Sequence, residues 1–160
     1  MNDRPADAVA AARVRLRAED ADDLTVIAAC LQGALACYGE MGLDESEHRF
    51  AAIMVRYTWE DAAAHDLPAE PVALGQLRTA LRIEAVDGVR LRGIDRAQPN
   101  KLMELVTLSV LEVRGRVQVH LIFAGGAEVC VDAARLDVRL EDLDEPVASG
   151  LKAGFVSDDG

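Results

Sequence analysis

Apolar and polar positions are most regularly ordered between residues 76 and 132. Three apolar-rich runs, Gln76 to Ile94, Leu102 to Val113 and Val117 to Asp132, alternate there or are bounded by glycine-containing turns. A period of two marks strands whose two faces meet different surroundings, so this region predicts a largely antiparallel sheet. In the first run Leu77, Leu81, Ile83, Ala85, Val89 and Leu91 share odd parity. A three-residue turn at Val86-Asp87-Gly88 keeps that parity by pairing Ile83 with Leu91, and one long bulged strand fits it as well. In the third run a three-residue Ala124-Gly125-Gly126 turn sets Leu121 against Val129 and Val119 against Val131. That register puts Gln118 opposite Asp132, and His120 opposite Cys130, on the outer face. Leu102 to Val113 is apolar on both faces and reads as a central strand covered on both sides.

Upstream, Arg13 to Arg17 alternates arginine with Val14 and Leu16, as a short edge strand would. Leu24, Ile27, Ala28, Leu31 and Leu35 then recur at helical spacing, behind Asp20 and Asp22, either of which can cap the start of a helix. Cys37 to Leu43 and Phe50 to Trp59 form two further strand candidates joined by the polar turn Asp44 to His48. Leu136, Val138 and Leu140 alternate as a last strand would, while Ala133, Leu136, Leu140 and Leu143 also fit a helical stripe. Residues 1–12 and 146–160 read as flexible tails around a single domain at 13–145. Residues 60–75, with Pro68 and Pro71, read as a mobile loop. Together the elements predict an α+β fold: an N-terminal helix packed on a strongly bent, mainly antiparallel sheet of seven or eight strands. A roll or split barrel resembling pleckstrin-homology-like domains is the expected version.

Composition narrows the function classes. At 160 residues the chain is the length of one domain, and 51% hydrophobic residues suffice for a packed core. The formal net charge of −11 opposes binding to nucleic acid or anionic lipid, since both reward excess lysine and arginine. Six aromatic residues leave little material for base stacking. No segment resembles a signal peptide or a membrane span, and three cysteines without framework spacing suit a reducing compartment, so a cytoplasmic location is expected.

Catalytic motifs are sparse. The sequence holds no glycine-rich phosphate loop, nucleophile elbow, paired-histidine metalloprotease motif or paired CxxC zinc site, and neither a cofactor nor a metal is expected. Cys130 opposite His120 is the sharpest catalytic suggestion: an imidazole across the strand pair could activate the thiol, with Asp132 on the same face to orient the ring. The plainer reading is a histidine and a cysteine on a partly covered sheet. Cys30 and Cys37 read as buried packing, and Trp59 as closure of the core. Arg78, Arg82, Arg90, Arg92, Arg96 and Lys101 concentrate six of the 17 basic residues in 24 positions. With the three-residue turn, Arg82 faces Arg92 and Arg78 approaches Arg96, and an anion or acidic partner would relieve that repulsion. The alternative is that these long side chains splay into water or pair with acids elsewhere in this −11 chain.

Asp23-Leu24 through Leu31-Gln32-Gly33-Ala34, Arg49-Phe50 leading to Arg56-Tyr57-Thr58-Trp59-Glu60, Arg92-Gly93-Ile94-Asp95-Arg96 with Pro99, and Phe123-Ala124-Gly125-Gly126 occur in that order. In this the chain resembles an uncharacterised alphaproteobacterial family catalogued as domain of unknown function 2948, over about residues 13 to 145. The resemblance implies a small bacterial cytoplasmic protein and carries no activity, substrate or catalytic residue. After Asp144-Glu145-Pro146 the chain departs from the family pattern, with Val147 where an aromatic residue is expected. The functional expectation is a non-enzymatic binding or regulatory module that recognises an acidic protein segment or small anion through Arg78, Arg82, Arg92 and Arg96. The rivals are a small enzyme using Cys130 and His120, and a structural homodimer joined through a sheet edge.

Overall fold

The computed structural model describes residues 13–60 and 75–144 and the backbone of Val147–Ala148. The expected tails and the 60–75 loop lie largely outside these residues. Eleven strands are present among them: β1 (Arg15–Ala18), β2 (Leu35–Ala36), β3 (Met41–Asp44), β4 (Arg49–Tyr57), β5 (Gly75–Ile83), β6 (Val86–Arg92), β7 (Met103–Val113), β8 (Arg116–Phe123), β9 (Glu128–Ala133), β10 (Val138–Asp142) and β11 (Val147–Ala148). One helix, α1 (Ala21–Cys30), follows β1. All the strands pair antiparallel in the order β1-β10-β5-β4-β2-β7-β8-β9-β6, with β3 against β4 and β11 against β5.

The expected α+β roll or split barrel of pleckstrin-homology type is not formed. Over the described residues the protein is an open, mainly antiparallel sheet with one short helix. The physical reason lies at Glu84–Ala85. β5 and β6 do not pair as a hairpin, because Ala85 takes a left-handed conformation (φ 60°) that redirects the chain between them. β5 then pairs with β4 and β10, and β6 with β9. Ile83 consequently lies opposite Phe50 and Val138 rather than Leu91. Backbone bonds from Glu84 N to Asp137 O, Val86 N to His48 O and Ala134 N to Ala85 O fix this corner without joining β1 to β6.

The 117–132 hairpin forms in the register expected from parity, with His120 opposite Cys130 and Gln118 opposite Asp132. Its turn is a 3₁₀ segment at Ala124–Gly126 in which Gly125 and Gly126 have φ of 82° and 92°, angles that glycine adopts without steric cost. Residues 138–142 resolve as strand, not helix. In α1, Asp20 accepts a bond from Asp23 N at 2.8 Å and so caps the helix, and Leu24, Ile27 and the following Leu31 are buried.

These helix residues, the even-numbered face of β4 (Phe50, Ala52, Met54) and the inner faces of β7 to β10 belong to one contiguous core. The helix covers one face of the sheet only. The other side of β7 therefore leaves Val106 and Leu111 more than half exposed, against the expectation of a strand covered twice.

Candidate functional site

Strand alternation that buries Phe50, Ala52 and Met54 also buries Arg56, two residues further along the same face. Its guanidinium is held on every side. Asp142 accepts from Nε at 2.8 Å and Nη2 at 2.7 Å, and Glu60 accepts from Nη1 at 3.0 Å and Nη2 at 2.7 Å. The Tyr57 carbonyl takes a further bond from Nη1 at 3.0 Å. Burial works against the charge, but hydrogen bonds to Asp142 and Glu60 outweigh it and push the Arg56 guanidinium above its ordinary value. Asp142 also accepts from Val14 N at 2.6 Å, so the group ties β4 to β10 and the residues preceding β1. Every donor is matched, and the cluster is structural.

The four arginines expected to form one face are dispersed. Arg78 is bonded to Asp144 at 2.7 and 3.1 Å, and this contact holds the Asp144 carboxyl below its usual range. Arg92 lies 3.7 Å from Glu128 on β9, and Arg96 is exposed in the segment between β6 and β7. Because β5 and β6 do not pair, Arg82 does not face Arg92. It is opposed instead by Arg139 of β10, which in turn is opposed by Arg17 of β1.

Three arginines thus stand in register across three adjacent strands. Asp137, its side chain 1% exposed, lies beside this row and accepts from Arg17 at 3.1 Å through both Nε and Nη2, and from Arg139 at 3.2 and 3.3 Å. Burial pushes the Asp137 carboxyl up, but Arg139 and Arg17 together hold it below the usual range. Among the described residues Arg82 makes no ion pair. The sequence signalled Arg82 by local charge density; Arg139 and Arg17 needed strand pairings between segments far apart in the chain.

His120 and Cys130 do come together. The Cys130 Sγ is 4.0 Å from His120 Nε2, while Nδ1 of the same ring bonds Glu128. Glu128, not Asp132, orients the imidazole. Asp132 instead accepts from Arg90 at 2.8 and 3.0 Å, and Arg90 Nη2 also donates to the Cys130 sulfur at 3.0 Å. Glu128 was missed because it lies two ladder positions from the His120 pair, opposite Ile122, where only a reach along the sheet brings it to the ring. Its contact with His120 holds the Glu128 carboxyl below its usual range. Burial pushes the Cys130 thiol up, with Arg90 opposing.

Three concavities lie elsewhere. One of about 440 Å³ sits between the 93–102 segment and the 124–127 turn, lined by Tyr38, Ile94, Asp95, Gln98 and Lys101 among others. Gly93 shapes it: its φ is 70°, and a Cβ there would stand 2.8 Å from the Gly126 carbonyl oxygen. A second, of about 480 Å³, lies by Trp59, Tyr57 and Val106, where Trp59 Nε1 donates to the Gln32 carbonyl at 2.8 Å. The third, of about 820 Å³, is an open trough along β3 and β4. None of these three is lined by Cys130 or His120. Among the described residues no group of three or more His, Cys, Asp or Glu side chains could hold a metal, and no helix is long and apolar enough to cross a membrane.

In comparisons with known proteins, the model of a family described as a protein of unknown function (DUF2948) matches residues 14–153. No curated protein and no solved structure matches the chain.

Proposed function

The chain belongs to the DUF2948 family, and from its own surface we propose that it is a non-enzymatic binding module that recognises an acidic protein segment. The single observation that carries this reading is the row Arg17–Arg139–Arg82 across β1, β10 and β5. Like charges directly opposed on a sheet repel one another, and Asp137 relieves only the Arg17 and Arg139 members. Arg82 brings a fork of donors that matches a carboxylate in two-bond geometry. An acidic segment laid over the row supplies the missing anion, and the rest of this −11 chain repels the same segment, which confines it to the row.

The test is fluorescence anisotropy with a labelled glutamate-rich peptide at 50 and 300 mM salt. Wild type should bind with an affinity that falls at the higher salt, and Arg82→Glu should weaken binding at least tenfold, about 1.4 kcal/mol. Equal binding by Arg82→Glu, or none by wild type, overturns the reading. Binding of pyrophosphate without the peptide redirects it to a small anion.

A further inference from the structure

The second cluster of reactive side chains lies on the outer face of β6, β8 and β9, away from the arginine row. Its sulfur sits between two groups of different chemistry. His120 Nε2 faces it at 4.0 Å, and because Nδ1 is bonded to Glu128, Nε2 is the nitrogen left to take a proton. Arg90 approaches from the neighbouring strand and donates to Sγ at 3.0 Å. A base that removes the thiol proton, a carboxylate that holds the resulting imidazolium and a cation that stabilises the thiolate are the parts that make a cysteine nucleophilic. Cys130 is only 7% exposed, while the Arg90 side chain over it is 59% exposed. Access to the sulfur thus depends on a surface side chain swinging aside, not on opening of the core.

We propose that Cys130 is an S-thiolation site that reacts with an anionic low-molecular-weight disulfide. His120 Nε2 takes the Sγ proton, and the thiolate attacks one sulfur of the disulfide. A new S–S bond forms to Cys130 as the old one breaks, and the departing thiolate takes the proton back from His120. One thiol and one disulfide give one mixed disulfide and one thiol, so electrons balance without a further oxidant. The exchange needs only a small electrophile, which suits a cluster on the outer face of a sheet. The preference for an anionic disulfide follows from Arg92. Its guanidinium is 80% exposed and lies 3.7 Å from Glu128, whose carboxylate is shared with His120, so it can take up a carboxylate carried by the incoming molecule. The other acids on this face are engaged, Asp132 with Arg90 and Asp87 with Arg116.

The two remaining cysteines act as internal controls. Cys37 is buried and Cys30 half-buried, so neither is less exposed than Cys130, and burial pushes the Cys30 thiol up as it does that of Cys130. What distinguishes Cys130 is the imidazole and guanidinium beside its sulfur. The test is incubation of the full chain with oxidised glutathione at pH 7.5, with the rate at each cysteine followed by peptide mass spectrometry. Cys130 should be modified at least tenfold faster than Cys30 and Cys37. His120→Gln should slow Cys130 about tenfold and leave the other two rates unchanged. Arg92→Gln should slow the reaction with oxidised glutathione but not with neutral hydroxyethyl disulfide. Should His120→Gln unfold the chain, all three cysteines would speed up together, and Glu128→Gln then serves as the second variant with the same expected slowing. A Cys130 rate no higher than that of Cys37, or one unmoved by both His120→Gln and Glu128→Gln, overturns the site.

Discussion

Replacing Arg56 with methionine separates electrostatics from packing in this core, because methionine keeps much of the side-chain bulk and removes all five donors. Asp142 would remain fully buried and keep its bond from Val14 N, while its carboxylate loses the Arg56 guanidinium. Breaking a buried pair by removing one partner costs about 3–5 kcal/mol. For a domain of this size about 4 kcal/mol corresponds to a Tm about 8–16 °C lower.

Asp142→Asn should cost less, about 1–2 kcal/mol, because Arg56 keeps Glu60 and the Tyr57 carbonyl. Arg56→Met/Asp142→Leu should regain most of the loss, since an apolar pair of similar volume replaces a buried ion pair at little cost. The assay is urea unfolding at 25 °C, followed by Trp59 fluorescence and far-ultraviolet circular dichroism. An Arg56→Met penalty below about 1 kcal/mol, or a larger loss from Asp142→Asn, would refute the reasoning.

Gly93→Ala should destabilise by on the order of 2 kcal/mol, from its left-handed backbone and the contact with Gly126 O, whereas Gly42→Ala, with open space around its Cβ, should stay within about 0.5 kcal/mol; differential scanning calorimetry distinguishes them. The depressed Asp137 carboxyl contributes stability that is fully present above about pH 4 and is lost as pH falls through its folded value. Asp137→Asn should thus flatten the acid limb of a stability-versus-pH curve, and an unchanged limb would count against the Arg17 and Arg139 contacts as its cause. The glutamate-rich peptide assay with Arg82→Glu and the cysteine-resolved exchange rates with His120→Gln complete the set.

Where neighbouring residues decide the structure, the sequence determined it. Asp20 and the spacing of Leu24, Ile27 and Leu31 specify the capped helix, because both signals act within two turns. The Val117 to Asp132 hairpin, with His120 opposite Cys130, follows from parity and two glycines, since a tight turn fixes register. What only the tertiary structure decided involves distant pairings. Between Gln76 and Ile94 parity allowed either a hairpin turning at Val86-Asp87-Gly88 or a continuous strand, and the competition of β10, β4 and β9 for partners selected a chain redirected at Glu84–Ala85 and the open sheet. Parity puts Arg56 on the same face as Phe50, Ala52 and Met54, but a charge there is tolerable only because Asp142, 86 positions later, reaches it. The row Arg17–Arg139–Arg82 likewise exists only because β10 lies between β1 and β5. Local sequence sets conformation and face, but which faces meet depends on contacts whose chain-closure entropy is offset only by the assembled core.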